Sequence, residues 1–347
     1  MSKTAIFIEP EKLLNVINEL ELEALKEAHS IARQEFKVIQ QYLAVHADPD
    51  LLGHAQKVEL ALKEIVVREF ALPRIELIPE HPEPVLLIYN NEVLQEPLSD
   101  YWRNLILQAT ASIQKNIPSV GRIEALDDKT QYGTCFAIAA NLVLTNYHVA
   151  SQFCSSRGIL TKPVLIDFIE EKNRDPEERY EIERAVTLSP DPDFAILKVR
   201  LENSKPLTPL KLRNTPLSIS RNQEIDAFSF PVYIIGYPTK SSPYDPDRNE
   251  ALENRIFKGI FGVKRFCPGS LRQIQSETHP PYDDICLCCN YTSLNGSSGS
   301  PVFDFETGDV IGLHYAGEPD RQENLSIPIW KLRSPIDQAI HDFASPR

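Results

Sequence analysis

Toward the end of this 347-residue chain, the run "SLNGSSGSPVFD", residues 293–304, sets Ser298 in a glycine-bordered turn directly ahead of an apolar stretch. A lone serine hydroxyl is a weak nucleophile and needs a base within hydrogen-bond reach and a third group that orients the base. Two upstream stretches supply both. In "LVLTNYHVA" His148 ends an apolar strand, and in "SPDPDFAILKV" Asp193 immediately precedes another. An imidazole titrates near neutrality and passes a proton both ways, while a buried carboxylate fixes its tautomer and stabilises the imidazolium. Asp191 and Asp167 are rivals for the acidic role; Asp193 is preferred because it directly abuts the apolar strand. Gly296 can take the positive φ that turns its N–H toward the same point as the N–H of Ser298, giving two donors for a developing oxyanion. The chemistry implied is covalent attack on a carbonyl, with the partners in the order His, Asp, Ser.

Other readings of these residues fit less well. A Gly/Ser turn alone is usually a hairpin, and a lone histidine usually a core residue; it is the ordered set that points to catalysis. An α/β-hydrolase esterase would want Gly-x-Ser-x-Gly and the order Ser, Asp, His, whereas Ser300 fills the second glycine position here. The run "CLCC", Cys286 to Cys289, invites a metal reading, but zinc clips use Cys-x-x-Cys with a second matching pair, and buried free thiols are the preferred reading. No metal or organic cofactor is expected.

Lys plus Arg number 36 against 49 Asp plus Glu, a net charge of −13, and there is no basic stripe. Nucleic acid is therefore an unsuitable partner. The start "MSKTAIFIEPEKLL" lacks the long apolar region of a secretory signal, and nowhere do about 18 apolar residues run together. A cytoplasmic location without membrane contact is expected, with the six cysteines reduced.

The elements that must position these residues begin near residue 120. Of the 13 glycines only Gly53 precedes Gly121, so the first third avoids the residue that tight turns need and reads as helical. Ala28, Ala32, Phe36, Ile39 and Leu43 line one face of a helix from about Pro10 to Val45, and Val58, Leu62 and Ile65 line a second from about Leu51 to Phe70. Residues 1–70 are read as a helical regulatory or interaction domain. Residues 71–118 read as a proline-rich linker with "VLLIY" as a short strand and a helix capped by Ser99 or Asp100 that reaches Ile113. From 119 to 347 short apolar runs alternate with turn residues, which predicts a sheet-rich barrel or sandwich able to bring side chains of distant strands to one seam.

The motifs "LTNYHV", "DFAILKV", "GSSGSPVF" and "GLHYAG", in that order, resemble the chymotrypsin-like (trypsin-fold) serine peptidases, closest to the bacterial glutamyl endopeptidase and Deg-type branches. The resemblance spans roughly residues 119–337, leaves the N-terminal third outside it, and implies two six-stranded β-barrels with the site between them; with the helical domain before them the chain reads as multidomain, α plus all-β. The resemblance also implies His148 as general base, Asp193 as its orienter, Ser298 as nucleophile and the amides of Gly296 and Ser298 as the oxyanion hole. Ser297 stands where the family usually has Asp or Asn, and neither a new-N-terminus activation motif nor the animal disulfide pattern is matched. His314, 16 residues past Ser298, resembles a histidine with which glutamyl endopeptidases bind an acidic side chain, and Ser293 would form another wall of that pocket. The activity so implied is a serine endopeptidase acting on proteins or peptides, with a preference for cleavage after acidic residues. By similarity to fusions of such domains with helical adaptors in bacterial defence and signalling, residues 1–115 would gate it, bind a protein partner or self-associate. The alternative is a catalytically inactive peptidase-like scaffold that binds peptides.

Overall fold

The protein is seen here as a computed structural model that describes residues 78–94, 98–172, 179–201, 205–219, 225–226, 230–241, 249–276, 285–318 and 322–344. The helical domain expected over residues 1–70 lies outside the described residues.

Two short strands, β1 (Leu86–Tyr89) and β2 (Glu92–Val93), precede helix α1 (Asp100–Asn116). The "VLLIY" strand and the capped helix are thus both present. Ser99 is the N-cap, its Oγ accepting from the Trp102 amide at 3.4 Å, and Asp100 sits favourably in the first turn. The helix ends where Pro118 would deny it an amide donor.

The first barrel is built from β3 (Val120–Ala125), β4 (Gln131–Ala139), β5 (Leu142–Thr145), a single turn of helix α2 (Tyr147–Ala150), β6 (Val164–Asp167), β7 (Arg179–Ser189) and β8 (Phe194–Val199). Its strands close in the order β3-β4-β5-β8-β7-β6. Ile123, Cys135, Ala137, Val143, Ile166 and Leu197 fill its interior.

The second barrel follows: β9 (Pro231–Gly236), helix α3 (Glu250–Phe257), β10 (Arg265–Ser276), β11 (Ile285–Cys289), β12 (Pro301–Asp304), β13 (Val310–Glu318) and β14 (Glu323–Pro328), with α4 (Arg333–Phe343) after it. Its six strands close in the order β9-β10-β11-β14-β13-β12 around Val232, Ile234, Leu271, Leu287, Val302 and Ile311. All pairings in both barrels are antiparallel, so the fold is the double six-stranded β-barrel that the sequence led us to expect.

The segment before the first barrel belongs structurally to the second. β10 is long enough to pair with β11 over Leu271–Ser276 and with β1 at Phe266 and Arg265. Helix α1 covers the outer face of β9. Tyr233, pointing out of that barrel, has ring centroids 4.8 Å from Phe266, 4.7 Å from Phe303 and 4.9 Å from Phe305, and Phe305 stacks on Trp102 of α1. The Tyr233 hydroxyl accepts from Asn116 Nδ2 at 3.2 Å. Because both faces of β9 are covered, "PVYIIG" reads as a continuous apolar run rather than an alternating one.

Candidate active site

Strand pairing places the first two candidate residues side by side. β5 and β8 run antiparallel with Thr145 opposite Ala195, so the residues leaving the end of β5 meet those entering the start of β8. His148 lies in α2, immediately after β5, and Asp193 is the last residue before β8. The Asp193 carboxylate receives the His148 amide at Oδ1, 2.9 Å away, and faces His148 Nδ1 with Oδ2 at 2.6 Å. A carboxylate only accepts, so the ring proton sits on Nδ1 and Nε2 is left as the basic nitrogen. Asn146 Nδ2 donates to the Asp193 carbonyl at 3.0 Å and ties the backbone of the pair. Asp193 is fully buried and His148 is 7% exposed. Burial, and then the charge of Asp193, push the neighbouring Tyr147 phenol up, so it stays neutral beside the pair.

Ser298 lies in the loop between β11 and β12, and the first barrel grips that loop. The Thr134 amide on β4 donates to the Ser298 carbonyl at 2.8 Å, and Thr134 Oγ1 donates to the Gly296 carbonyl at 2.8 Å. Thr145 Oγ1 in turn donates to the Thr134 carbonyl at 2.7 Å. Gly133 marks where the histidine and serine segments converge: a Cβ there would sit 2.8 Å from Val149 Cγ2, next to His148, and 3.1 Å from the Ser298 carbonyl. Gly296 and Gly299 hold φ of +89° and +91°, in the left-handed region that glycine enters freely. A Cβ on Gly299 would collide with the Thr134 carbonyl. Ser298 Oγ faces the Tyr315 carbonyl at 3.5 Å.

His314 and Ser293 fall in one buried polar wall beside this loop. His314 Nδ1 lies 3.0 Å from Tyr291 Oη and 3.2 Å from the Leu325 carbonyl, and Tyr291 Oη lies 2.8 Å from Ser326 Oγ. Ser293 Oγ donates to Asn324 Oδ1 at 2.7 Å, while Asn324 Nδ2 donates to the Tyr291 carbonyl at 2.5 Å. The loop and the wall meet through the backbone, where the Gly299 amide donates to the His314 carbonyl at 3.0 Å.

The rival carboxylates lie elsewhere. Asp167 accepts from Arg179 Nε at 3.1 Å and from the Ile169 amide at 2.8 Å. The Asp191 carbonyl accepts from Ser189 Oγ, and its side chain is exposed. All six cysteines are free and buried, and no group of three or more His, Cys, Asp or Glu side chains among the described residues is placed to hold a metal ion. Two residues that shape the loop went unnoticed in the sequence: Thr134, and Thr239, whose amide and Oγ1 both donate to the Asn295 carbonyl at 2.5 and 2.9 Å. Their signal, a threonine directly after a glycine or a proline, is too common to single them out.

Among solved structures the chain is similar to Deg5, with 20% identity, 72% of this chain and 100% of that one covered, and a TM-score of 0.48. It is similar to Rv3671c from M. tuberculosis H37Rv in an inactive form (17% identity, 74% and 100% covered, TM-score 0.44) and to the serine endoprotease from Yersinia pestis (15% identity, 72% and 69% covered, TM-score 0.42). No curated protein matches the chain in sequence. Residues 133–313 match the family described as trypsin-like peptidase domain, a stretch that starts at the glycine between the histidine and serine segments and ends on β13. By that match, which takes in just over half of its residues, the chain belongs to the trypsin-like peptidases.

Proposed function

We propose that this chain is a serine endopeptidase whose triad is His148, Asp193 and Ser298. The observation that carries the reading is the grip of the buried Asp193 carboxylate on both the ring and the amide of His148, at a point where Gly133 brings the Ser298 loop alongside. In the reaction Ser298 Oγ attacks the scissile carbonyl and passes its proton to His148 Nε2. The oxyanion is held by the amides of Gly296 and Ser298, and the imidazolium then protonates the leaving amine. Water activated by His148 hydrolyses the acyl-enzyme. A fluorophosphonate probe tests this: labelling of the wild type that vanishes in Ser298→Ala supports it. Well-folded wild type that takes no label points instead to a peptide-binding scaffold.

We assign the pocket a preference for cleavage after acidic residues. In support, the wall formed by Tyr291, Ser293, His314, Asn324 and Ser326 contains a histidine and hydroxyl and amide groups but no carboxylate, so nothing in it would repel a glutamate or attract a lysine. Peptides differing only at the residue before the cut decide the matter. Faster cleavage after Glu than after Leu or Lys is expected, and equal rates remove the assignment.

The same reading gives residues 1–70 a gating role, on the strength of their helical periodicity, and the six free, buried cysteines support a reducing compartment such as the cytoplasm. A shortened chain starting at Ile78 is expected to be constitutively active or to lose its response to a partner.

A further inference from the structure

On the reading that Gly296 supplies an oxyanion amide, we propose that Thr239 is the residue that aims it. The Gly296 N–H belongs to the peptide unit that carries the Asn295 carbonyl, and in a planar trans peptide the two point in opposite directions. Whatever holds the Asn295 carbonyl therefore sets where the Gly296 N–H points. That carbonyl is held twice by one residue, by the Thr239 amide at 2.5 Å and by Thr239 Oγ1 at 2.9 Å. The next peptide unit is held by Thr134 Oγ1 on the Gly296 carbonyl.

The loop needs such a hold because Gly296 cannot supply one. A residue without a Cβ passes between positive and negative φ at little cost, so the Asn295–Gly296 peptide has no steric reason to keep its orientation. Turned over, it would present a carbonyl oxygen where an oxyanion must sit. No bulkier residue could substitute for the hydrogen bonds, because a Cβ at position 296 would lie 2.5 Å from the Tyr237 carbonyl and 2.6 Å from Gln131 Nε2.

Thr239 is in turn well anchored. The Tyr237 amide donates to Thr134 Oγ1 at 3.2 Å, the Tyr237 carbonyl accepts from Gln131 Nε2, and the Pro238 carbonyl accepts from the Gly262 amide at 2.7 Å. The strand just before it, β9, pairs with β12, which begins three residues after Ser298. The Thr239 backbone is thus fixed without its side chain, and the hydroxyl is a separable contribution.

Thr239→Val, which removes Oγ1 and keeps the amide, and Thr239→Ala as a second variant without the hydroxyl, are compared with Thr239→Ser by steady-state kinetics on a peptide substrate. An ordinary hydrogen bond shifts a two-state equilibrium by roughly twofold to tenfold. The variants without the hydroxyl should lose about that factor in kcat with KM nearly unchanged, and Thr239→Ser should recover it. Affinity for a peptide aldehyde, whose adduct places an oxyanion in the hole, should fall in step with kcat/KM, whereas affinity for the product peptide should hold. Unchanged kcat in folded Thr239→Val and Thr239→Ala, or failure of Thr239→Ser to recover activity, overturns the role of Thr239 alone. A wild type inert to both peptide and fluorophosphonate overturns it together with the peptidase reading.

Discussion

At the residue scale the proposed mechanism divides the site into groups that would act on substrate and groups that hold others in place. Asp193→Asn replaces one accepting oxygen facing His148 with a donor, so the imidazole must adopt the other tautomer and Nε2 loses the lone pair that the proposed mechanism uses as base. A fall in kcat on the order of 10^3- to 10^4-fold, with circular dichroism unchanged, is expected by steady-state kinetics. Thr134→Val leaves the Gly296 carbonyl and the Tyr237 amide without their hydroxyl partner in a buried setting. A loss of roughly 1–3 kcal/mol in urea-unfolding stability should accompany reduced activity. The contrast explains what could be read from the chain beforehand. His148, Asp193 and Ser298 stand out because the chemistry admits few residue types, and their order is informative. Thr134 and Thr239 act by donating to the carbonyls of other residues, a task any hydroxyl in the right place performs, so their identity carries no signal until the backbone is known.

Elements translate those residues into geometry. The antiparallel match of Thr145 with Ala195 suffices to bring His148 and Asp193 together, which is why apolar strands ending at one residue and starting at the other were informative. The Ser298 loop depends instead on close backbone approach. Gly299→Ala combines a strained φ with a collision against the Thr134 carbonyl, so the expected outcome is a protein that fails to take up a fluorophosphonate or does not fold, read by labelling and by thermal unfolding. Ser99→Ala should cost helix α1 about 0.5–2 kcal/mol, seen as a lowered urea midpoint at unchanged slope. That helix was legible because a cap and an apolar spacing are local. Its docking on Tyr233 was not, since nothing near Trp102 in sequence announces an aromatic cluster on β9, β10 and β12.

For the molecule as a whole, short apolar runs divided by turn residues sufficed to indicate barrels, while the closure order required pairings between distant segments. The interiors also set its chemistry toward thiol reagents. Burial pushes the Cys154 thiol up to about 11 and the Cys267 thiol up to about 12. Iodoacetamide at pH 8 should leave both unmodified in the native protein and alkylate them in urea, as mass spectrometry would report; native labelling at the rate of a free thiol would contradict this burial. The native state keeps protons that the unfolded chain surrenders above about pH 8.5, so these thiols stabilise the fold fully below that pH, and their contribution is lost as the pH rises toward 11–12. A urea midpoint that falls with pH across this range is the expected reading. The pairing of Leu86 with Phe266 has a further consequence, during synthesis. These partners are 180 positions apart, and at about 5–20 residues per second a ribosome adds that length in roughly 9–36 s. Late in that interval, once Val199 has been added, the first barrel can close on its own, while β1 and the apolar side of α1 still lack the surface they are shaped to cover, so a nascent chain paused between the barrels is the form most in need of a chaperone.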